Sequence, residues 1–156
     1  MKYGLILLLL MMTCQSDEDI NLNPGADYIV FGQFYGYCLG ESCIEIFKFS
    51  GADLFEDTLD KYPNRTEFYT GAFTKITRTD NAGARELLLN IPERLLDDKT
   101  RVIGMPDAGD WGGVYFEIKT GSRHDFWLID KMRSNVPDEI IPFVDKIEKV
   151  ILKINS

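Results

Sequence analysis

The hydrophobic period of this chain changes from two residues to about 3.6 and back, and that succession constrains its fold more than any single motif. Over residues 27–37, 43–49 and 67–76, β-branched or aromatic residues alternate with small or polar ones, as in a half-buried strand. Residues 53–59, set off by the Ser50-Gly51 turn signal, read as a further strand. Ala84, Leu87, Leu88, Ile91 and Leu95 then recur at helical spacing, with Thr79-Asp80 as capping residues and Pro92 as a break. Alternation returns over 114–119 and 124–130, a hairpin turning through Thr120, Gly121, Ser122 and Arg123. Finally Ile140, Val144, Ile147, Ile151 and Ile154 line one stripe of an amphipathic helix, with Pro137 and Pro142 confined to its opening turns. Strands, helix, hairpin, helix predict an α+β fold: a single antiparallel sheet of about five to six strands with two helices packed on one face.

The 156 residues, 45% of them hydrophobic, suffice for one such domain, assigned to residues 27–156. With 25 acidic against 17 basic residues, the chain lacks the cationic surplus that phosphate backbones demand, so nucleic acid is not an expected partner.

The first residues read as an address rather than as part of the fold. Lys2 is the only charge of residues 1–13, and the apolar run from Leu5 to Met12 is too short to span a bilayer, which takes about 20 residues. The run closes as Leu10-Met11-Met12-Thr13-Cys14, which resembles the lipobox of bacterial lipoproteins, with Thr13 where Gly or Ala is usual and Met11 where Leu is usual. The resemblance implies a signal peptide over 1–13, cleavage before Cys14, and acylation of Cys14 by chains such as palmitate. Several chains, each contributing roughly 0.8 kcal/mol per buried methylene, anchor a protein stably. The following Gln15-Ser16-Asp17-Glu18-Asp19 is similar to the acidic export signal of Bacteroidota surface lipoproteins, and equally to a plain solvated tether. Residues 14–26 are thus expected to be a lipidated acidic spacer. The implied location is the outer membrane, lipid-anchored, facing the cell surface or the periplasm.

Setting Cys14 aside leaves Cys38 and Cys43 around Leu39-Gly40-Glu41-Ser42. A disulfide is expected in an oxidising compartment, with a pair of reduced thiols as the alternative. So short a loop contributes only about 2 kcal/mol. Two cysteines and one histidine fall short of a structural zinc set, so neither metal nor other cofactor is expected.

His124 is the only histidine, and Asp125 beside it on a strand points to the opposite face, which disfavours a Ser-His-Asp nucleophile. The most unusual segment is 105–113, Met-Pro-Asp-Ala-Gly-Asp-Trp-Gly-Gly. Its glycines, proline, two carboxylates and indole exceed what a connection needs, and loops on rigid scaffolds carry function. Asp107, Asp110, Trp111, Gly112 and Gly113 are therefore the candidate binding residues; the plain alternative is a tight turn with Trp111 packed over the sheet. The aromatic residues Tyr35, Tyr37, Tyr115 and Trp127 offer either a stacking face for sugar or core packing. Asn64-Arg65-Thr66 is a sequon, and Asp57-Thr58-Leu59 resembles the O-glycosylation signal of Bacteroidota envelope proteins, which makes Thr58 a modification candidate.

The early cysteine turn, downstream helix, hairpin and terminal helix together resemble a group of uncharacterised small bacterial envelope domains, a resemblance that implies no known activity. The expectation is a non-enzymatic lipoprotein module that binds a protein or a glycan. Two alternatives stand beside it: an inhibitor of a secreted enzyme such as a lysozyme or protease, and an envelope hydrolase working through Asp107 and Asp110.

Overall fold

A computed structural model describes residues 27–77 and 81–156. The signal segment, Cys14, the acidic tether and the Thr79-Asp80 cap expected for the first helix lie outside the described residues. The strands are β1 (Tyr28–Phe34), β2 (Ile44–Ser50), β3 (Asp53–Asp57), β4 (Phe73–Lys75), β5 (Val102–Ile103), β6 (Gly113–Thr120) and β7 (Arg123–Asp130); the helices are α1 (Ala82–Leu89), α2 (Glu93–Asp97) and α3 (Ile141–Ile154). All strands join one sheet in the order β4-β3-β2-β1-β6-β7-β5.

The α+β class holds, with three differences from the expected architecture. The sheet has seven strands, and it is mixed, because β5 runs parallel to β7. Three helices replace two: Pro92, extended at φ −62° and ψ 134°, splits the expected helix, so Leu95 sits on the separate α2. Of the alternating run 67–76, only Phe73–Lys75 pairs as a strand. Phe68 and Tyr69 instead pack onto the sheet from an irregular segment, so hydrophobic alternation there reflects packing without ladder bonds.

Strand alternation sorts the side chains into two layers. Ile29, Phe31, Phe47, Phe49, Phe116, Trp127 and Ile129 face the helices, where Leu87 of α1 and Phe143, Ile147 and Ile151 of α3 cover them. The Phe143 ring meets Phe116 edge-on, centroids 4.9 Å apart. Each such buried side chain contributes about 1.5–3 kcal/mol. On the opposite face Val30, Phe34, Ile46, Tyr115, Phe126 and Leu128 are covered by residues 58–72, with no helix on that side.

Register fixes which loops meet. Phe34, the last residue of β1, pairs with Ile44 on one side and Gly113 on the other. The cysteine turn leaving β1 and the glycine-rich loop entering β6 therefore emerge side by side at one end of the sheet.

Candidate functional site

Asp107 ties that end together. Its Oδ2 accepts hydrogen bonds from the Gly36 N–H at 2.8 Å and the Tyr62 hydroxyl at 2.9 Å, while Oδ1 accepts from the Gly112 N–H at 3.2 Å. The Asp107 N–H donates to the Gly112 carbonyl at 2.8 Å, closing the loop on itself. At the loop's base the Met105 N–H donates to buried Asp130 at 2.9 Å. Three segments, the cysteine turn, the 58–72 segment and the glycine-rich loop, are thus joined through one carboxylate. Tyr62 also packs edge-on against Phe34, and burial followed by the Asp107 hydrogen bond and charge pushes its hydroxyl up to about 12.

Glycine is required at two places in this frame. Gly112 has φ +74°, and a Cβ there would enter the Tyr35 ring. A Cβ on Gly36 would collide with the Asp107 carboxylate that its N–H binds. Asp107 and Asp110 also occupy the left-handed region, at φ +64° and +65°, which short polar side chains tolerate best. Gly113 is buried against the Phe34 ring at the start of β6.

Cys38 and Cys43 form a disulfide, with Cα atoms 5.5 Å apart. Cys43 is buried and its carbonyl accepts from the Tyr35 N–H at 2.9 Å, so the bridge pins an otherwise projecting turn to the sheet. Tyr35 is held from below by Lys131, which donates to its hydroxyl and pairs with Glu148 of α3 at 2.8 Å. Burial alone would lower the Lys131 ammonium's affinity for its proton; the Glu148 and Tyr35 contacts outweigh it and raise it.

On this frame the apolar side chains point outward. Trp111 and Met105 are each 60% exposed, Tyr37 is 87% exposed and Leu39 fully so. Trp111 is therefore not packed over the sheet. The expected aromatic stacking set does not assemble: Tyr115 and Trp127 are buried on opposite faces, and only Tyr37 of the four stands free of the core. Asp110 is exposed, whereas both oxygens of Asp107 are engaged, which makes Asp107 a positioning group. Thr58 is exposed and its hydroxyl donates to the Ala72 carbonyl at 3.0 Å; in the sequon, Asn64 Oδ1 accepts from the N–H and hydroxyl of Thr66.

A second polar cluster went unread in the sequence. Glu117, 1% exposed in the middle of β6, accepts from the Tyr28 hydroxyl at 3.1 Å, from the Tyr115 hydroxyl, and from the Tyr69 N–H at 3.3 Å. His124 Nε2 lies 2.9 Å from its Oε1, and Phe68 stacks on the imidazole with centroids 3.6 Å apart. Next to it buried Asp57 accepts from the Tyr69 hydroxyl at 2.7 Å, the Ala72 N–H at 2.5 Å and the Asp60 N–H at 3.0 Å. Burial, then the neighbouring carboxylates, hold the hydroxyls of Tyr28, Tyr69 and Tyr115 well above the usual phenol range. Every carboxylate oxygen in the cluster faces a donor from the protein itself. Its chemistry is that of a clasp which holds 58–72 over the sheet.

Among the described residues no three His, Cys, Asp or Glu side chains gather to hold a metal ion, and no helix is long and apolar enough to cross a membrane. Compared with protein-family models, with curated proteins and with solved structures, the chain matches none.

Proposed function

We propose that this protein is a bacterial envelope lipoprotein, anchored through acylated Cys14, whose folded domain binds a protein or glycan partner without transforming it. The observation that carries this reading is the loop end of the sheet, where Trp111, Tyr37, Leu39 and Met105 are held outward on a frame tied by Asp107 and the disulfide. Exposed aromatic and aliphatic anchors on a rigid base limit the side-chain ordering that binding costs. The inhibitor alternative draws on the same end, with the pinned turn bearing Leu39 as the inserting element. A hydrolase would have to strip Gly36, Tyr62 and Gly112 from Asp107 before that carboxylate worked on substrate.

Two experiments test the proposal. In mass spectrometry of the native protein, the first residue is an acylated Cys14; an intact Met1 or an unmodified Cys14 overturns the anchor. In pull-downs from the cell envelope, Trp111→Ala weakens partner capture by at least about 1 kcal/mol while leaving the melting temperature within the scatter of an exposed substitution. Equal retention by wild type, Trp111→Ala and Asp107→Ala/Asp110→Ala places recognition elsewhere.

A further inference from the structure

The carboxylates beside this surface differ from those in the rest of the domain. Elsewhere acidic side chains at the surface have cationic partners: Asp53 with Lys75, Asp98 with Arg94, Asp125 with Arg123, Asp145 with Arg133, Glu86 with Lys146. Glu41 on the cysteine turn, Glu45 at the start of β2, Glu56 on β3 and Asp60 just beyond it have none among the described residues. They crowd one another instead. The side chains of Glu41 and Asp60 share a hydrogen bond, and Glu45 feels the charges of Glu56, Asp60 and Glu41. Glu41 stands two residues from Leu39 on the turn that the disulfide pins, and Asp60 two residues from Tyr62, which binds Asp107. The acidic group and the apolar anchors form one continuous surface.

We infer that the partner at the loop end is a basic protein segment, whose Lys and Arg side chains meet Glu41, Glu45, Glu56 and Asp60 while an apolar residue seats on Leu39 and Trp111. The inference rests on the binding reading above and narrows it from protein or glycan to a cationic protein. Like charges held at this spacing raise the free energy of the unbound domain, and an arriving cation relieves that repulsion. In agreement, burial and then the neighbouring carboxylates hold the carboxyls of Asp60 and Glu45 above their ordinary range, although the Asn155 amide bonded to Glu45 pulls the other way. A neutral glycan offers no charge to this group, and an anionic one is repelled by it. The apolar anchors supply what a purely electrostatic patch lacks, since long-range attraction steers encounter and desolvated contacts hold the complex.

The probe is a fluorescent twelve-residue peptide of alternating Lys and Leu with one central Trp, titrated by anisotropy against the full chain at low and at physiological salt. A Gln-for-Lys version and a neutral hexasaccharide serve as the other ligand classes. The expected result is at least tenfold weaker binding of the Lys peptide to Glu41→Gln/Asp60→Asn and at least fivefold weaker binding to Leu39→Ser/Trp111→Ala. Asp97→Asn/Asp125→Asn, which removes the same charge at the opposite end of the sheet, changes it less than twofold. Thermal melts establish that each variant is folded, and Glu45→Gln/Glu56→Gln is the second charge pair if Asp60→Asn destabilises the turn. Equal losses in the two charge-removal variants mean generic attraction to an acidic protein and overturn the inference. If the Gln peptide or the hexasaccharide binds instead, and does so through Trp111, the basic-partner inference fails while the binding reading stands. If no ligand of any class depends on Leu39 or Trp111, both fail.

Discussion

On the helix side of the sheet, 22 buried side chains form the core, and none of them carries a formal charge. On the other side the apolar layer has six, and three carboxylates, Asp57, Glu117 and Asp130, are buried in the same layer. The first face is closed by area removed from water, which tolerates any side chain of the right volume. The second has too little apolar area for that, and the segment 58–72 is held by hydrogen bonds whose donors belong to the loop and whose acceptors belong to the strands. The comparison teaches that one sheet can be covered by two mechanisms with different failure modes. Loss of volume weakens the helix face in proportion to the cavity. Loss of a single acceptor on the loop face leaves several buried donors unsatisfied at once.

The sharpest way to break the comparison is to cut one residue on each face and ask what unfolds. Trp127→Ala, emptying the largest fully packed site on the helix side, is expected to cost about 3–5 kcal/mol in denaturant titration, with all backbone probes moving together. Glu117→Ala strands the hydroxyls of Tyr28 and Tyr115 and the Tyr69 N–H, at about 3 kcal/mol. Hydrogen exchange should then rise first in 58–72, ahead of α3; simultaneous loss of protection in both would show that the two faces are one cooperative unit. Cys38→Ser/Cys43→Ser is expected to cost about 2 kcal/mol and to leave the near-ultraviolet signal of the core intact, since the bridge closes a short loop.

The smallest effects concern pH and distinguish the two ends of the sheet. Burial alone would raise the Asp98 carboxyl, but hydrogen bonds from the Thr100 hydroxyl and N–H and the pairing with Arg94 outweigh it and hold the carboxyl below its ordinary value. Its stabilising contribution is present above the unfolded pKa and disappears as pH falls through the lowered folded one. Asp60 and Glu45 carry the opposite sign: raised carboxyls contribute fully below the unfolded pKa, and the contribution is lost as pH rises through the folded value. Asp60→Asn should therefore raise the melting temperature slightly at pH 7 and not at pH 3, whereas Asp98→Asn should lower it at pH 7. Melts of both variants at the two pH values check the pair; shifts of the same sign at pH 7 would contradict the assignment.

The difference between the faces also decides how much was legible. Leu87, Ile147 and Ile151 lie at helical spacing because a helix exposes one stripe to an apolar layer, and the hairpin at Gly121 follows from alternation on either side of a turn. Glu117 defeats that logic. A charged residue between Phe116 and Ile118 reads as solvent-facing, and nothing local announces that Tyr28, Tyr69, Tyr115 and His124 converge on it from strands and loops far apart in the chain. For the same reason Glu67 to Ile76 read as one strand, although Phe68 and Tyr69 alternate only to reach the clasp. Strand β5 was missed because two residues carry no period. At the loop end, composition identified the glycine-rich segment and the cysteine pair separately. Their meeting depends on the Phe34 register and on Asp107 reaching Gly36, 71 residues away.

The short outer strands have a consequence for how copies of this protein behave when crowded. A sheet terminates in a row of backbone donors and acceptors able to recruit a strand from a neighbouring molecule, and long flat edges are where fibrils start. Here one border is the three-residue β4 and the other the two-residue β5. The remainder of β7 beyond β5 is shielded by the preceding segment: the Arg101 guanidinium lies over Phe126, the Trp127 indole donates to the Asp98 carbonyl and Arg123 to that of Leu96. Neither border offers a template long enough to propagate, so high local density favours separate molecules over edge-to-edge polymerisation.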